Sequence, residues 1–392
     1  MLRVLLQKAR IVILLTAAAP LLFLARILKP FAVMRFGHLT GERIGHFAAN
    51  TELYLCEREL GMHRPRSIDF FYHRGFICNQ QLKKMWGRKL HVWQFSRWLD
   101  RLNRLLPGGR DHVIPIPWDR DMHCVVSRTK AHLSFDIKEE RLGMAELKKM
   151  GIPEGAPFVC IYAREKNYLD TVFKDSDWRY HGYRNSDISS YIPAAQELAR
   201  RGYFVLRVGA LVKDKLAVNN PMIIDYGTGY RTDFLDIFLC AKNKFFVGST
   251  GGINAVPRIF RKPVAYVNFV PLGLDHLFTC APESLFIPKK LWVTADKRFM
   301  AFREMIESGA DRFFRNEQYE KLGVEVLENS PEEIASLVIE MDESLNGTWH
   351  YVEEDRALQE RFWSILNPNK FNKTLGLRIG TEFLRKNQEL LA

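Results

Sequence analysis

Short apolar runs alternate with longer helical segments from residue 30 to about residue 270, and this alternation limits the fold more than any other feature. In the first half, strands are predicted at 31–36, 67–73, 90–93 and 111–117. Helices are predicted between them at 41–60, 79–87 and 96–106. Strands joined through helices form parallel sheets covered by helices. We therefore expect residues 30–150 to form one α/β domain.

The same pattern starts again after a charged helix predicted at 137–150. Strands are predicted at 157–163, 203–209, 222–227, 244–249 and 262–269. Helices are predicted at 187–201, 231–241 and 256–260. The repeat predicts a second doubly wound domain over 151–345, followed by a helical extension at 346–392.

The N-terminal segment carries an uncharged run, Ile11–Ala25, with basic residues on both sides at Arg3, Lys8, Arg10, Arg26 and Lys29. Fifteen helical residues span only about 22 Å, less than a hydrocarbon core of about 30 Å. We favour a re-entrant or interfacial helix over 1–29, kinked near Pro20, on the cytoplasmic face of the inner membrane. A buried first helix, a single-pass anchor and a cleaved signal peptide remain open.

The excess of 57 Lys and Arg over 45 Asp and Glu gives a net charge of +12, which suits a phosphate-bearing ligand, an anionic membrane or a nucleic acid. The basic residues are dispersed among acids without an RNP or zinc-finger pattern, so nucleic acid is disfavoured. None of the six cysteines forms a C-x-x-C pair, and the eleven histidines show no metal-ligand spacing. The sequence therefore predicts reduced cysteines and no metal site.

Polar residues follow the predicted strands of the second domain, where ligands of open α/β sheets bind. Arg164 stands directly after the strand at 157–163, and a guanidinium there suits bidentate contact with a diphosphate. Arg184 and Asn185 open the next helix and could reach a phosphate or a sugar hydroxyl. Ser186 or Asp187 could cap that helix, which would explain either residue without a ligand. We also include Asp187 among the candidate donor-binding residues, where it would orient the sugar or brace the loop.

A glycine-rich segment, Gly248–Asn254, connects a strand to a helix. Its small residues would let the backbone approach a phosphate, so we include Ser249, Thr250, Gly251, Gly252 and Asn254 in the candidate site. The segment is neither G-x-G-x-x-G nor a Walker A loop, so a nicotinamide cofactor or an ATPase is poorly supported.

Ordered motifs run through most of the chain between Arg35 and Gly347. The motifs are R-I-G-H with N-x-E-L-Y-L at 43–55, Arg164-Glu165 with Tyr168-Leu169, Y-R-N-S-D-I from Tyr183, Asp225-Tyr226, Asp233-Phe234-x-Asp236, Phe260-x-x-Pro263, Asn268-Phe269-x-Pro271, I-P-K-K-L-W at 287–292, Arg303-Glu304, and E-N-S-P-x-E-I at 328–334. Together with the glycine-rich loop they resemble a bacterial family of GT-B glycosyltransferases from surface-polysaccharide loci. One departure is Glu165, where the family pattern has Asp.

The resemblance implies two Rossmann-like doubly wound domains facing a cleft, beside the N-terminal hydrophobic helix. It implies transfer of a sugar from a nucleotide-activated donor to a glycan or lipid-linked acceptor, without a metal or other cofactor. A fainter likeness to fucosyltransferase-type GT-B enzymes implies that Arg164 stabilises the leaving diphosphate. His46 is then the candidate base. Secondary candidates for base or ribose contacts are Asp225, Arg231 and Asp236.

Two other functions stay open. A GT-B sugar-nucleotide epimerase shares the fold and the phosphate contacts but acts on the donor without an acceptor. A non-catalytic nucleotide- or polysaccharide-binding subunit of an envelope assembly would bind without turnover. The partners expected of the transferase are a nucleotide-sugar donor, a glycan or lipid-linked acceptor and a membrane surface, and the epimerase would not need the membrane anchor.

Overall fold

The computed structural model describes residues 2–165, 171, 177–212, 214–366 and 376–392. The chain forms two compact units. The first unit comprises Met1–Asp119 with Ala131–Ser134, and the second comprises Arg120–Lys130 with Phe135–Ala392. Each unit contains its own parallel β-sheet. The predicted α/β class is thus confirmed.

The boundary between the units lies before helix α5 (Ile137–Lys149). The sequence pattern predicts it after this helix, at residue 150. Gly143 of this helix lies so close to the Phe238 ring that a Cβ would stand about 2.1 Å from a ring carbon. Glu140 accepts a hydrogen bond from Lys242 at 2.6 Å. These contacts make α5 part of the second unit.

The first unit has a three-stranded parallel sheet in the order β1-β2-β3. Its strands are β1 (Val33–Leu39), β2 (Ser67–His73) and β3 (His91–Val92). Its helices are α1 (Leu2–Ile27), α2 (Ile44–Glu59), α3 (Gln80–Gly87) and α4 (Ser96–Leu105). Over the residues described, this sheet is smaller than the doubly wound sheet expected.

The prediction of a strand at 111–117 was wrong. A 3₁₀ helix, Gly109–His112, precedes one isolated bridge between Val113 and Phe36. Pro115 and Pro117 follow, and because proline has no backbone N–H, this segment cannot continue a ladder of hydrogen bonds along β1.

A buried ion pair connects the two longest strands of the first unit. Arg35 of β1 lies opposite Asp69 of β2 in register. Arg35 Nε and Nη2 donate to the two Asp69 oxygens, each at 2.6 Å. Arg58 also donates to Asp69 at 2.6 Å, and the Tyr54 hydroxyl donates to the same oxygen. The carboxylate is therefore saturated with donors in a buried setting.

Helix α1 extends beyond the uncharged run on both sides and is continuous through Pro20. Ala18, Leu22 and Ala25 are buried in a cluster with Phe36 of β1 and Leu99 of α4. Residues 4–17 are exposed or only partly buried. Residues Val4–Ile27 are long and apolar enough to cross a membrane, with a mean hydropathy of 2.0. The predicted apolar N-terminal helix is confirmed, but one stripe of its C-terminal half is core.

The basic residues that follow the apolar run are bound to protein groups. Arg26 donates to Pro107 O at 2.9 Å and to Asn103 Oδ1 at 3.0 Å. Lys29 forms an ion pair with Asp111. These two cations therefore fasten α1 to the first unit, whereas the sequence suggested that they face lipid.

The second unit contains a seven-stranded sheet of parallel pairs in the order β13-β9-β8-β7-β4-β5-β6. The strands are β4 (Phe158–Tyr162), β5 (Phe204–Arg207), β6 (Ile223–Ile224), β7 (Phe246–Gly248), β8 (Val264–Phe269), β9 (Leu285–Pro288) and β13 (Arg378–Ile379). When β4 to β9 are numbered from 1 to 6 along the chain, their order across the sheet is 3-2-1-4-5-6, as in doubly wound dinucleotide-binding domains. The order reverses between β4 and β7.

A small antiparallel sheet and further helices complete this unit. The sheet is β10 (Lys290–Val293), β11 (Arg298–Phe299) and β12 (Val324–Leu327). The helices are α6 (Ile192–Arg200), α7 (Tyr226–Gly229), α8 (Asp233–Lys242), α9 (Ala255–Ile259), α10 (Leu274–Leu277), α11 (Phe302–Glu307), α12 (Asn316–Lys321), α13 (Pro331–Asn346), α14 (Glu353–Ile365) and α15 (Thr381–Lys386). Strands β4, β7 and β8 are almost wholly buried, as expected of a sheet covered on both faces.

The single helix predicted at 187–201 is two elements. A 3₁₀ helix, Ile188–Tyr191, leads into α6. Pro193 has no N–H to donate to Ser189 O, as an α-helix over 187–201 would require. The α-helix therefore begins at Ile192.

Candidate functional site

The carboxyl ends of β4 and β7 meet where the strand order of the second unit reverses. Ser249, directly after β7, accepts a hydrogen bond from Arg164 N at 2.8 Å through its hydroxyl. Its own N–H donates to Tyr162 O at 3.1 Å. The two loops are thus held together at the position where doubly wound sheets bind their ligands.

The Arg164 guanidinium is buried, with 7% of the residue exposed. It donates to Asn185 Oδ1, to His181 O at 3.5 Å, and approaches His181 Nδ1 at 3.3 Å. Across the residues that the structure describes, no carboxylate lies within ion-pair distance of it. Burial, together with the charge of Arg184, lowers the pKa of Arg164 to about 10. Among the residues described, the partners of this buried cation carry no formal negative charge.

Arg184 lies beside Arg164 and is half-buried. Its Nη2 donates to Thr250 O at 3.3 Å. Its buried Nε has no hydrogen-bond partner among the described residues. Two guanidinium groups therefore share one end of the sheet, with unused donor capacity on the second.

Lys289 is a third cation at this end, which the sequence analysis did not single out. It directly follows β9, and its Nζ donates to Asn185 O at 2.6 Å and lies 3.8 Å from Glu328 Oε1. Burial lowers the pKa of Lys289 to about 8, with Arg164 adding to the effect and Glu328 opposing it. The signal available in the sequence was the I-P-K-K-L-W motif at 287–292, which contains Lys289. Asn185 contacts both Arg164 and Lys289, so it positions the two cations.

The polar side chains of the glycine-rich loop are hydrogen-bonded to protein groups inside and outside the loop. Asn254 Nδ2 donates to Ser249 O at 2.8 Å, and Thr250 Oγ1 accepts from Val270 N at 3.1 Å. Gly251 lies against the Tyr162 ring, where a Cβ would stand about 2.5 Å from a ring carbon. Gly252 starts a 3₁₀ turn, and the α-helix after it has only five residues. The loop therefore offers backbone groups to a ligand more than side chains or a helix terminus.

Asp187 caps the 3₁₀ helix that it precedes. Its carboxylate accepts from Ser189 N at 2.9 Å and from Ser189 Oγ at 2.6 Å, and its own N–H donates to Glu328 Oε2 at 3.0 Å. These bonds match the capping interpretation and occupy the carboxylate.

The secondary candidates lie in two internal ion-pair networks. Asp225 lies 3.4 Å from the buried Arg207, which also pairs with Glu165 at 2.6 Å. Asp236 is buried, accepts from the Tyr226 hydroxyl at 2.8 Å and pairs with Arg231 at 2.9 Å. Burial raises the pKa of Asp236 to about 6 against the opposing effect of Arg231. The departure at Glu165 thus has a structural account, since its carboxylate is a partner of Arg207.

Asn268 and Asn329, which both belong to the sequence motifs, are joined by two reciprocal hydrogen bonds. Asn268 N donates to Asn329 Oδ1 at 2.5 Å, and Asn329 N donates to Asn268 Oδ1 at 2.6 Å. Asn268 has φ 51°, in the left-handed region that asparagine tolerates. This reciprocal pair holds the segment carrying Glu328 at the end of β8. Tyr168 and Leu169 of the same motif set lie outside the described residues.

His46 belongs to the first unit, near the start of α2. Its Nδ1 lies 3.7 Å from Asp119 Oδ2, and its ring packs against Trp118 with centroids 4.6 Å apart. Asp119 is thus placed to orient the imidazole.

No family model and no curated protein matches the chain. Several solved structures resemble it, among them the following three. The ADP-heptose LPS heptosyltransferase II of E. coli shares 11% identity over 65% of this chain and 90% of its own, with a TM-score of 0.40. The glycosyl transferase family 9 protein of Veillonella parvula shares 10% over 80% and 97%, with a TM-score of 0.45. The iron-containing heptosyltransferase TibC, in complex with ADP-D-beta-D-heptose, shares 10% over 80% and 77%, with a TM-score of 0.39.

These structural neighbours are glycosyltransferases. At such identities and TM-scores the similarity by itself assigns no activity to this chain. The functional argument therefore rests on the chain's own residues.

Proposed function

We propose that this protein is a glycosyltransferase of the GT-B class that binds the diphosphate of a nucleotide-activated sugar with Arg164 and Arg184. One observation carries the proposal: two guanidinium groups meet at the strand-order reversal, and among the described residues neither has a carboxylate partner. Lys289 adds a third positive charge nearby. A diphosphate would supply the missing negative charge.

The energetic reason is the cost of burying charge. An ionised group removed from water is stabilised by a counter-ion, and an uncompensated one costs several kcal/mol. Arg164 keeps only an amide, an imidazole and a carbonyl as described neighbours. Binding a polyanion would remove this cost, and the same cations would then stabilise charge developing on the departing nucleotide. The sequence resemblance to GT-B glycosyltransferases supports the same chemistry.

For the acceptor, we propose a glycan or lipid-linked glycan whose hydroxyl proton is taken by His46. Asp119 Oδ2 lies 3.7 Å from Nδ1, and its charge would stabilise the imidazolium that forms when His46 takes the proton. The site needs no metal for donor activation because fixed cations serve the leaving group.

The deciding experiment is a thermal-shift screen of UDP-, GDP-, dTDP-, ADP- and CMP-sugars on the wild type, Arg164→Ala and Arg200→Ala. Arg200 is an exposed arginine paired with Glu197 and serves as the matched control. We expect one nucleotide class to stabilise the wild type and the Arg200 variant, and not the Arg164 variant. Binding that survives Arg164→Ala unchanged overturns the phosphate assignment.

Turnover separates the transferase from the alternatives. A transferase releases nucleoside diphosphate only with an acceptor, an epimerase converts the donor alone, and a binding subunit does neither. With an acceptor in hand, His46→Asn should lower kcat by about 10²- to 10⁴-fold with donor binding unchanged. His91→Asn, an exposed histidine of the same unit, is the control. Full turnover by the His46 variant removes it as the base.

We also propose that the exposed N-terminal half of α1 inserts into the cytoplasmic leaflet of the inner membrane. Its 26 residues extend about 39 Å, longer than the uncharged run alone suggested. Because Ala18, Leu22 and Ala25 pack on the first unit, the docked helix can insert only the part that precedes them. This favours a monotopic anchor over a complete crossing.

Deleting residues 1–29 would also remove part of the core, so single substitutions test the anchor better. Ile13→Glu and Ile137→Glu place the same charge at isoleucines of similar exposure, 66% and 71%. In flotation with vesicles containing anionic lipid, Ile13→Glu should reduce binding, whereas Ile137→Glu should not. Equal binding by both variants contradicts the anchor.

A further inference from the structure

A group of metal-ligand side chains lies in the first unit, away from the candidate sugar-nucleotide residues. Glu52 and Cys56 occupy positions i and i+4 of α2, so they project from one face of the helix. His132 approaches this face from the short segment Ala131–Ser134, which belongs to the same unit. One ligand atom from each residue lies within 4.8 Å of the other two.

The separations fit one small ion. His132 Nδ1 lies 3.0 Å from Glu52 Oε1, and Cys56 Sγ lies 3.8 Å from the same oxygen. A tetrahedral zinc ion with bonds of about 2.0 Å to nitrogen or oxygen and about 2.3 Å to sulfur separates nitrogen from oxygen by about 3.3 Å and sulfur from either by about 3.5 Å. The two separations from Glu52 Oε1 are therefore within about 0.3 Å of these values, and Cys56 Sγ lies within 4.8 Å of the His132 ligand nitrogen.

The second nitrogen of His132 has the partner that metal-bound histidines usually have. His132 Nε2 lies 3.0 Å from Glu59 Oε2, one helical turn beyond Cys56. A hydrogen bond from Nε2–H to this carboxylate would leave Nδ1 as the coordinating atom and fix the ring orientation. Glu52, Cys56 and Glu59 thus form a row along α2 that contacts both sides of the imidazole.

We propose that Glu52, Cys56 and His132 bind one divalent transition-metal ion, with zinc preferred and Glu59 as the outer partner of His132. Thiolate and imidazole ligands favour zinc or its analogue cobalt over magnesium or calcium. Three protein ligands leave a fourth position for water. Bound there, the ion would fasten segment 131–134 onto α2. The spacing of cysteines and histidines in the sequence did not predict this site, because His132 is 76 residues beyond Cys56.

The test is a titration of the metal-stripped full chain with Co²⁺, followed by absorption spectroscopy, with zinc competition and metal analysis of the purified protein. We expect one equivalent to bind, with a thiolate-to-cobalt charge-transfer band and tetrahedral d–d bands that zinc abolishes. Cys56→Ser and His132→Gln should lose these bands. Cys78→Ser, at another cysteine of the same unit, should keep them.

Glu59→Gln tests the site with a variant that should fold, because the Glu59 side chain is 51% exposed. It should keep the spectrum while weakening affinity by about 10- to 100-fold. Retention of the charge-transfer band by Cys56→Ser would overturn the proposal. So would a folded wild-type chain that binds neither Co²⁺ nor Zn²⁺, in which case the cluster is an ion-pair network around a protonated His132.

Discussion

Two buried arginines, one in each unit, have almost the same exposure and opposite surroundings. Arg35 is 4% exposed and forms a bidentate pair with Asp69. Arg164 is 7% exposed, and its described partners are an amide, a histidine ring and a carbonyl. The first charge is neutralised by the fold, which marks a structural role. The second is left for something outside the described chain, which marks a binding role.

Breaking the Arg35 pair should have the largest effect on stability. Asp69→Ala leaves the buried Arg35 without its counter-ion and also removes an acceptor from Arg58 and Tyr54. We expect a loss of about 3–5 kcal/mol in the free energy of unfolding, measured by urea denaturation. Asp177→Ala, which breaks an exposed pair with Arg179, should leave the free energy of unfolding nearly unchanged. A small loss for Asp69→Ala would mean that the two arginines do not differ as described.

Removing the Arg164 charge should weaken ligand binding without reducing the stability of the unliganded protein. Arg164→Met replaces an uncompensated buried cation with an apolar chain, so the unliganded protein should be no less stable than the wild type. Its affinity for the nucleotide sugar should fall by about 2–5 kcal/mol, since the diphosphate loses a buried charge partner. Calorimetry and urea denaturation on the same variant measure both quantities. A large loss of stability without ligand would give Arg164 the structural role of Arg35.

Arg184 should show a weaker version of the same behaviour because it is only half-buried. Arg184→Gln should reduce donor affinity by about 1.5–3 kcal/mol, the range of hydrogen bonds to charged groups. The free energy of unfolding should change by no more than about 0.5 kcal/mol. Titration calorimetry of this variant beside Arg200→Gln checks the expectation, and equal affinities would exclude Arg184 from the site.

The pH dependence around Lys289 should be the smallest effect. Its pKa is about 8 in the folded state, below the value of about 10.4 for an unfolded lysine. Between these values the unfolded chain binds more protons, so the free energy of unfolding should rise with pH. Anion affinity should instead fall by up to about tenfold from pH 7.5 to pH 9.5 as Lys289 loses its charge.

The two opposite trends can be measured on one protein. Denaturation and nucleotide titration at the same pH values report stability and affinity separately. Lys289→Met should remove both trends. An affinity that stays constant in the wild type over this range would exclude Lys289 from contact with the anion.

The sequence predicted the parallel α/β class and the strand ends that carry Arg164 and Ser249, because these follow from local patterns. It left the helix cap open between Ser186 and Asp187, and the structure has Asp187 in that place. It did not predict Lys289 as part of the site, since Lys289 reaches Asn185 only through the packing of β9 and the loop before the 3₁₀ helix. It also could not separate Asp225 and Asp236 from ligand contacts, because their partners Arg207 and Tyr226 are defined by tertiary structure. The prediction of a strand at 111–117 was wrong for a local reason, since its two prolines have no backbone N–H to donate to a neighbouring strand.

The contact between Asn185 and Arg164 has a consequence for conformational entropy. A free arginine side chain loses about 2 kcal/mol of rotamer freedom when it is immobilised. Here the Arg164 backbone is fixed by Ser249 and its guanidinium by Asn185 and His181, so that ordering occurs when the protein folds. An arriving anion would meet a rigid fork of donors. A lysine at this position would present one flexible ammonium, and it would have to be ordered at every binding event.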